Sequence, residues 1–87
     1  MIKERATAVY DKIKWELDES RTVLSGNFIS PLGHKHLIDI HMQVATFVVY
    51  FKRDGIETGK SADSMEQITA IIRHYISNIL DFEALGK

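Results

Sequence analysis

Residues 36–53, HLIDIHMQVATFVVYFKR, form the most apolar stretch of the chain, and their conformation decides the architecture. The polar side chains in it recur at spacings of three and four, which is typical of a polar stripe along a helix. The stripe consists of His36, Asp39, Gln43, Thr46, Tyr50 and Arg53. A helix that is apolar around the rest of its circumference has to be covered on several sides. We therefore predict a central helix at residues 31–53, with the other segments packed around it.

A strand is the alternative interpretation of residues 37–51. Apolar and polar residues alternate over residues 38–43, as in a strand with one buried face, but the alternation fails over residues 44–51. The pair Asp54-Gly55 is a hairpin signal. Only two strand-favouring residues follow it before the next glycine, so the pattern predicts no partner strand.

Composition limits the class of protein. A chain of 87 residues makes one small domain with a thin core of its own. It contains no cysteine, which excludes disulfides and thiolate metal sites. The charged N-terminal segment does not resemble a signal peptide, and the central stretch is too often interrupted by polar residues for a membrane span. A net charge of −1 argues against nucleic-acid binding. We expect a cytoplasmic protein without a nucleic-acid or membrane partner.

Two further helices are predicted on either side of the central one. Residues 2–25 contain neither proline nor glycine, and apolar residues recur along one face of the predicted helix. Gly26 follows the segment directly. Residues 63–85 carry the clearest helix start, because both Asp63-x-x-Glu66 and Ser64-x-x-Gln67 fit a capping box. The segment between, residues 54–62, is polar with two glycines and is predicted to be a loop.

These elements predict an all-α fold, a three-helix antiparallel arrangement of residues 2–25, 31–53 and 63–85. Two neighbours in one small chain cannot cover the central helix well. Self-association into a larger helical bundle, with a homodimer favoured, would cover it.

Catalytic and metal-binding motifs are weak. Residues 55–61 resemble a phosphate-binding P-loop but are one residue too short, which leaves Lys60 as an anion contact at most. His36 and Asp39 have the spacing of helical metal ligands, but the other predicted helices supply no second pair. We therefore predict no metal, no cofactor and no enzymatic activity. A metal-dependent or acid–base enzyme centred on His36, Asp39 and His41 is kept as a third alternative.

Two features indicate binding instead. Trp15 lies opposite the apolar face of the first predicted helix, so it is either covered by a partner or packed near Phe28. The polar stripe of the central helix either faces solvent or lines a pocket between protomers.

The resulting hypothesis is a small oligomeric helical binding protein, a regulator, inhibitor or adaptor that contacts a protein partner through a helix face. The alternative is a binder of a small polar or anionic ligand, with its pocket between protomers. The residues predicted to contact a partner or ligand are Trp15, His36, Asp39, Gln43, Tyr50, Arg53 and Lys60.

Overall fold

The structure, a computed structural model, describes the backbone of residues 2–85 and the side chains of residues 5–85. Two helices flank five strands in the order α1 (Ile2–Lys12), β1 (Glu16–Leu17), β2 (Val23–Ile29), β3 (Lys35–Met42), β4 (Phe47–Arg53), β5 (Ile56–Ala62) and α2 (Met65–Leu85). The strands form one antiparallel sheet in chain order, β1-β2-β3-β4-β5. Both helices pack on one face of the sheet, called the inner face below.

The predicted all-α, three-helix bundle is therefore wrong, and the strand alternative for the central stretch is correct. Residues predicted as one helix form β3, a tight connection and β4. Gln43 N–H donates to Thr46 O at 2.9 Å across that connection. The connection QVAT contains no glycine or proline, so the sequence gives no turn signal between the strands. The apolar residues after the connection belong to β4, which pairs with β3. Their side chains point alternately to the two faces of the sheet.

The first predicted helix ends thirteen residues early, at Lys12 instead of residue 25. Residues 16–29 turn back as β1 and β2 around Asp18, whose carboxylate accepts hydrogen bonds from the backbone N–H groups of Thr22 and Val23 at 2.9 and 3.0 Å. Hydrogen bonds from Ser20 and from these N–H groups lower the pKa of Asp18. A side chain that satisfies the turn in this way favours a turn over a continuing helix.

The predicted loop 54–62 is largely strand β5, paired with β4 over its whole length. Arg53 pairs with Ile56, so the connection is the two residues Asp54 and Gly55, with φ of 51° and 80°. Positive φ at both positions is the geometry of a type I′ hairpin turn. The hairpin signal was correct, and the rejection of a partner strand was wrong because β5 is polar.

The third predicted helix forms as α2, and its capping box is Ser64-x-x-Gln67. Ser64 Oγ accepts from Gln67 N–H at 3.2 Å, and Gln67 Oε1 accepts from Asp63 N–H at 2.7 Å. Its buried apolar residues are Ile68, Ile72, Ile76 and Leu80. They pack on the inner side chains of the sheet, which include Phe28, Ile38, Ile40, Val49 and Phe51. The argument for a homodimer loses its basis, because residues 35–53 form β3 and β4 instead of an uncovered central helix. Self-association stays a prediction.

Candidate protein-interaction site

Strand β5 is an open edge of the sheet. Among residues 2–85 its one strand neighbour is β4, and its first six residues are exposed. Residues along an antiparallel strand turn their backbone groups alternately to either neighbour. Because Ile56 closes the hairpin with Arg53, the backbone groups of Glu57, Gly59 and Ser61 face away from β4. An exposed row of this kind is a template for another strand.

An apolar groove runs between β5 and α2 on the inner face. The α2–β5 groove is lined by Phe51, Ile56, Thr58, Tyr75 and Ile79, with Arg53 and Asp54 at the hairpin end, and its cavity is about 330 Å³. Ile56 is 72% exposed. Phe82, seven residues after Tyr75 on α2, is 70% exposed and extends the same helix face. The volume of this cavity is near the lower limit for ligand pockets. Because exposed apolar side chains surround it, the cavity suits one or two side chains of a partner.

The groove is built on a stack of aromatic rings. Tyr75 lies parallel to Phe51 with ring centroids 4.0 Å apart, and its hydroxyl is 2.7 Å from His36 Nδ1. His36 is fully buried, and its ring stacks on the Phe28 ring with the two centroids 4.8 Å apart. Burial raises the pKa of Tyr75, whereas burial and the charge of Arg53 lower the pKa of His36. Both groups are therefore neutral near pH 7, and their hydrogen bond holds the groove wall in place.

Glu83 fixes the end of α2 beyond the groove. Its side chain is buried, and Oε1 accepts a hydrogen bond from Leu32 N–H at 2.7 Å. Burial opposes ionisation of this carboxyl. Hydrogen bonds from Ser30 and Leu32, together with His34 and His36, nevertheless lower the pKa of Glu83. The ionised carboxylate therefore ties α2 to the turn between β2 and β3.

The seven predicted contact residues do not form one cluster. Asp39 and Tyr50 are cross-strand partners on the outer face, where Lys52 Nζ lies 3.2 Å from Asp39 Oδ2. The Tyr50 ring covers Gly59 and meets His41 edge-on at 4.8 Å. Gln43 is exposed in the connection between β3 and β4. The predicted polar stripe is thus divided between the outer face of the sheet, its inner face and a turn.

The other predicted contacts lie on the inner side of the sheet. Trp15 is half-buried against Gly26, where its ring occupies the space that a glycine leaves open. His36 is inside the core under Tyr75. Arg53 ends β4 and lines the hairpin end of the groove, and Lys60 lies on β5 itself. Of the seven, these last two adjoin the α2–β5 groove and strand β5.

Six of the seven residues that line the α2–β5 groove, all except Arg53, were absent from the predicted contacts. Phe51 lay in the predicted central helix, and Asp54 and Ile56 lay in the predicted loop. Thr58 lay in the predicted loop, and Tyr75 and Ile79 lay on the apolar stripe of the third helix, where a core position is the ordinary interpretation. The detectable signal was the width of that stripe, because α2 carries more apolar residues than its buried line requires.

Two further features, a metal-ligand cluster and a membrane-spanning helix, were sought among the described residues. Over residues 5–85, no three histidine, aspartate or glutamate side chains lie together as metal ligands would. Neither helix in the described range combines the length and the hydropathy that crossing a membrane requires.

Comparison of the chain with protein-family models, with curated proteins and with solved structures gave no match.

Proposed function

We propose that this chain is a protein-interaction module that binds an extended segment of a partner protein at β5. The segment would add to the sheet as a sixth strand, antiparallel or parallel, and place alternate side chains in the α2–β5 groove. The observation that carries this proposal is the open β5 edge directly beside an apolar groove. Addition of a strand to an edge combines main-chain hydrogen bonds for affinity with side-chain pockets for specificity.

This proposal keeps the protein-binding hypothesis but moves its surface from a helix face to a sheet edge. The backbone of β5 presents three outward-facing residues, and each can exchange hydrogen bonds with an added strand. The groove floor is held by the ring stack of Phe51 and Tyr75, so little of it has to order on binding. Rigid sites of this kind lose less entropy when a ligand binds.

The experiment that tests the proposal begins with a library of random linear peptides displayed on phage and selected on the folded chain. Selected peptides are then synthesised and titrated into ¹⁵N-labelled protein. We expect amide shifts concentrated on β5 and on α2 from Tyr75 to Phe82. If the shifts instead centre on the outer face around Asp39 and Tyr50, or if no peptide is selected, the proposal is wrong.

Two exposed isoleucines provide a matched pair for this test. Ile56, at the groove, is 72% exposed, whereas Ile29, on the outer face of β2, is 65% exposed. We expect Ile56→Ala to weaken the selected peptides about fivefold, the loss of roughly 1 kcal/mol of apolar burial. Ile29→Ala should leave the affinity unchanged. Equal effects of both substitutions would contradict binding in the groove.

Backbone pairing is tested at Ser61, whose N–H faces away from β4. Ser61→Pro removes this donor, and edge strands tolerate proline. We expect peptide affinity to fall by at least about fivefold, because one hydrogen bond is lost and the ring obstructs the added strand. Ser61→Ala keeps the N–H and should bind as the parent chain does. The circular dichroism spectrum verifies that both variants are folded.

A further inference from the structure

The side chains of β5 define which strand can be added, and this inference rests on the proposed function. Register with β4 divides β5 into two sets of side chains. Ile56, Thr58 and Lys60 lie on the inner face, opposite Arg53, Phe51 and Val49, while Glu57 and Gly59 lie on the outer face. A charge is therefore present on each face of the open edge, at Lys60 on the inner face and at Glu57 on the outer.

An antiparallel sixth strand would place one side chain opposite each of these residues. Opposite side chains in neighbouring strands are about 5 Å apart, close enough for opposite charges to attract and like charges to repel. The residue facing Lys60 is then best acidic, and the residue facing Glu57 best basic. The residues facing Thr58 and Ile56 meet the α2–β5 groove, whose lining includes the apolar or aromatic side chains of Phe51, Tyr75 and Ile79.

We infer that the partner of β5 is an antiparallel segment with the order acidic, any residue, apolar, basic, apolar from its N- to its C-terminus. This order follows from reading β5 backwards, from Lys60 to Ile56. An apolar side chain in the third position enters the cavity next to Tyr75, and the last position covers Ile56, the most exposed apolar residue of the groove.

A second copy of the chain fits this edge poorly. Two copies that keep their inner faces on the same side pair symmetrically about one residue of β5. Symmetry about Glu57 or about Lys60 sets two like charges directly opposite each other. Symmetry about Thr58, Gly59 or Ser61 sets Lys60 opposite Ile56, Thr58 or Ala62 of the copy, so its charge has no opposite partner. No register sets Lys60 against Glu57, because these side chains lie on opposite faces. A different chain is therefore the better occupant.

The test uses a synthetic peptide of this order, acetyl-Ser-Thr-Glu-Thr-Leu-Lys-Val-amide, and the full chain. A second peptide exchanges the Glu and Lys residues. We expect the first peptide to bind about fivefold or more tightly than the second, since both cross-strand pairs become repulsive on exchange. With Lys60→Glu and Glu57→Lys together in the chain, the preference should reverse. Both substituted side chains are exposed, so folding is expected to be retained.

The outcomes separate this inference from the proposed function. If both peptides shift the amides of β5 but bind equally well, or if the charge exchange in the chain does not reverse the preference, the inferred sequence order is wrong and strand addition stands. If neither these peptides nor library-selected ones shift β5, the proposed function fails. If the amides of β5 shift with protein concentration alone, β5 pairs with a second copy and the inference is overturned.

Discussion

Glu83 shows how one buried carboxylate can hold two elements together. It is 3% exposed, although it lies near the end of α2, and it accepts a hydrogen bond from the backbone of the turn between β2 and β3. Ser30 in the same turn is also buried, and its hydroxyl accepts a hydrogen bond from His34 N–H at 3.1 Å. The turn is therefore held by one hydrogen bond within itself and by one from Leu32 N–H to the helix end.

Removal of this carboxylate should destabilise the fold. We expect Glu83→Ala to lower the free energy of unfolding by about 1–3 kcal/mol, because Leu32 N–H loses its charged acceptor in a part-buried hydrogen bond. Glu83→Gln keeps an amide oxygen as acceptor and should cost less. Urea denaturation followed by circular dichroism measures both variants. A cost for Glu83→Ala no greater than that of Glu66→Ala, an exposed first-turn residue of α2, would contradict the role of Glu83.

At the scale of elements, α1 and the segment after it are positioned by small residues and aromatic contacts. Tyr10 connects α1 to α2, because the guanidinium of Arg73 lies 5.3 Å from the centre of its ring and Thr69 Oγ1 is 3.4 Å from its hydroxyl. The end of this segment rests on β2 at Gly26. A β-carbon at Gly26 would come within 2.6 Å of Ile13 Cγ2 and 2.7 Å of Trp15 Cε3. Trp15 therefore takes part in packing within the chain.

Substitution of the two strand glycines should give unequal results. We expect Gly26→Ala to cost about 1–3 kcal/mol, since the added methyl group overpacks a contact between β2 and the segment after α1. The same change at Gly59 meets the Tyr50 ring at 3.0 Å, and that half-exposed ring can move away. Gly59→Ala should therefore cost less than about 1 kcal/mol. Thermal unfolding, with Trp15 fluorescence as the probe, distinguishes the two, and equal costs would contradict the tight fit at Gly26.

At the scale of the whole molecule, the sheet is covered unevenly. Both helices lie on its inner face, where α1 packs beside α2 and buries Ala6, and Ile13, the residue after α1, is also buried; the inner face of β5 is left largely open. In the part of the chain that the structure describes, no helix lies on the outer face, which carries mixed polar and apolar side chains, among them Asp39, Tyr50 and Lys52. The uneven cover leaves the groove on one side of α2, and the binding proposal depends on this asymmetry.

The stability of the whole fold should depend on pH through His36. Its pKa is lowered in the folded chain, mainly by burial, from an ordinary value of 6.5. Below about pH 6.5 the unfolded chain takes up more protons than the folded one, so the free energy of unfolding should decrease as pH falls from 7.5 to 5.5. The lowered pKa of Glu83 adds a further loss at more acidic pH, below its ordinary value of 4.5.

His36→Phe isolates this effect, since phenylalanine can keep the stack on Phe28 but does not titrate. We expect the variant to be less stable at pH 7.5, because the Tyr75 hydroxyl loses its partner, yet nearly independent of pH between 7.5 and 5.5. Urea denaturation at several pH values measures both quantities. A pH dependence as steep in the variant as in the parent chain would show that another group is responsible.

The sequence by itself determined helix α2 and the hairpin signal at Asp54-Gly55. These depend on local interactions, such as the Ser64–Gln67 capping box, the helical repeat of apolar residues and the positive φ that glycine tolerates. Only the tertiary structure decided that residues 36–53 are two strands. A segment that is apolar on both faces fits the helical period and the strand period equally well. The connection at residues 43–46 also contains no glycine or proline that would mark a turn.

The candidate site was likewise decided by the tertiary structure. Strand β5 is polar because both of its faces are exposed, so its sequence has no alternation that could predict it. The pattern of residues in β5 does not predict its hydrogen bonds, which come from pairing with β4. The apolar wall of the groove comes from Tyr75 and Ile79 of α2, which are distant from β5 along the chain. The contacts that make the groove are long-range, whereas sequence patterns report on neighbours along the chain.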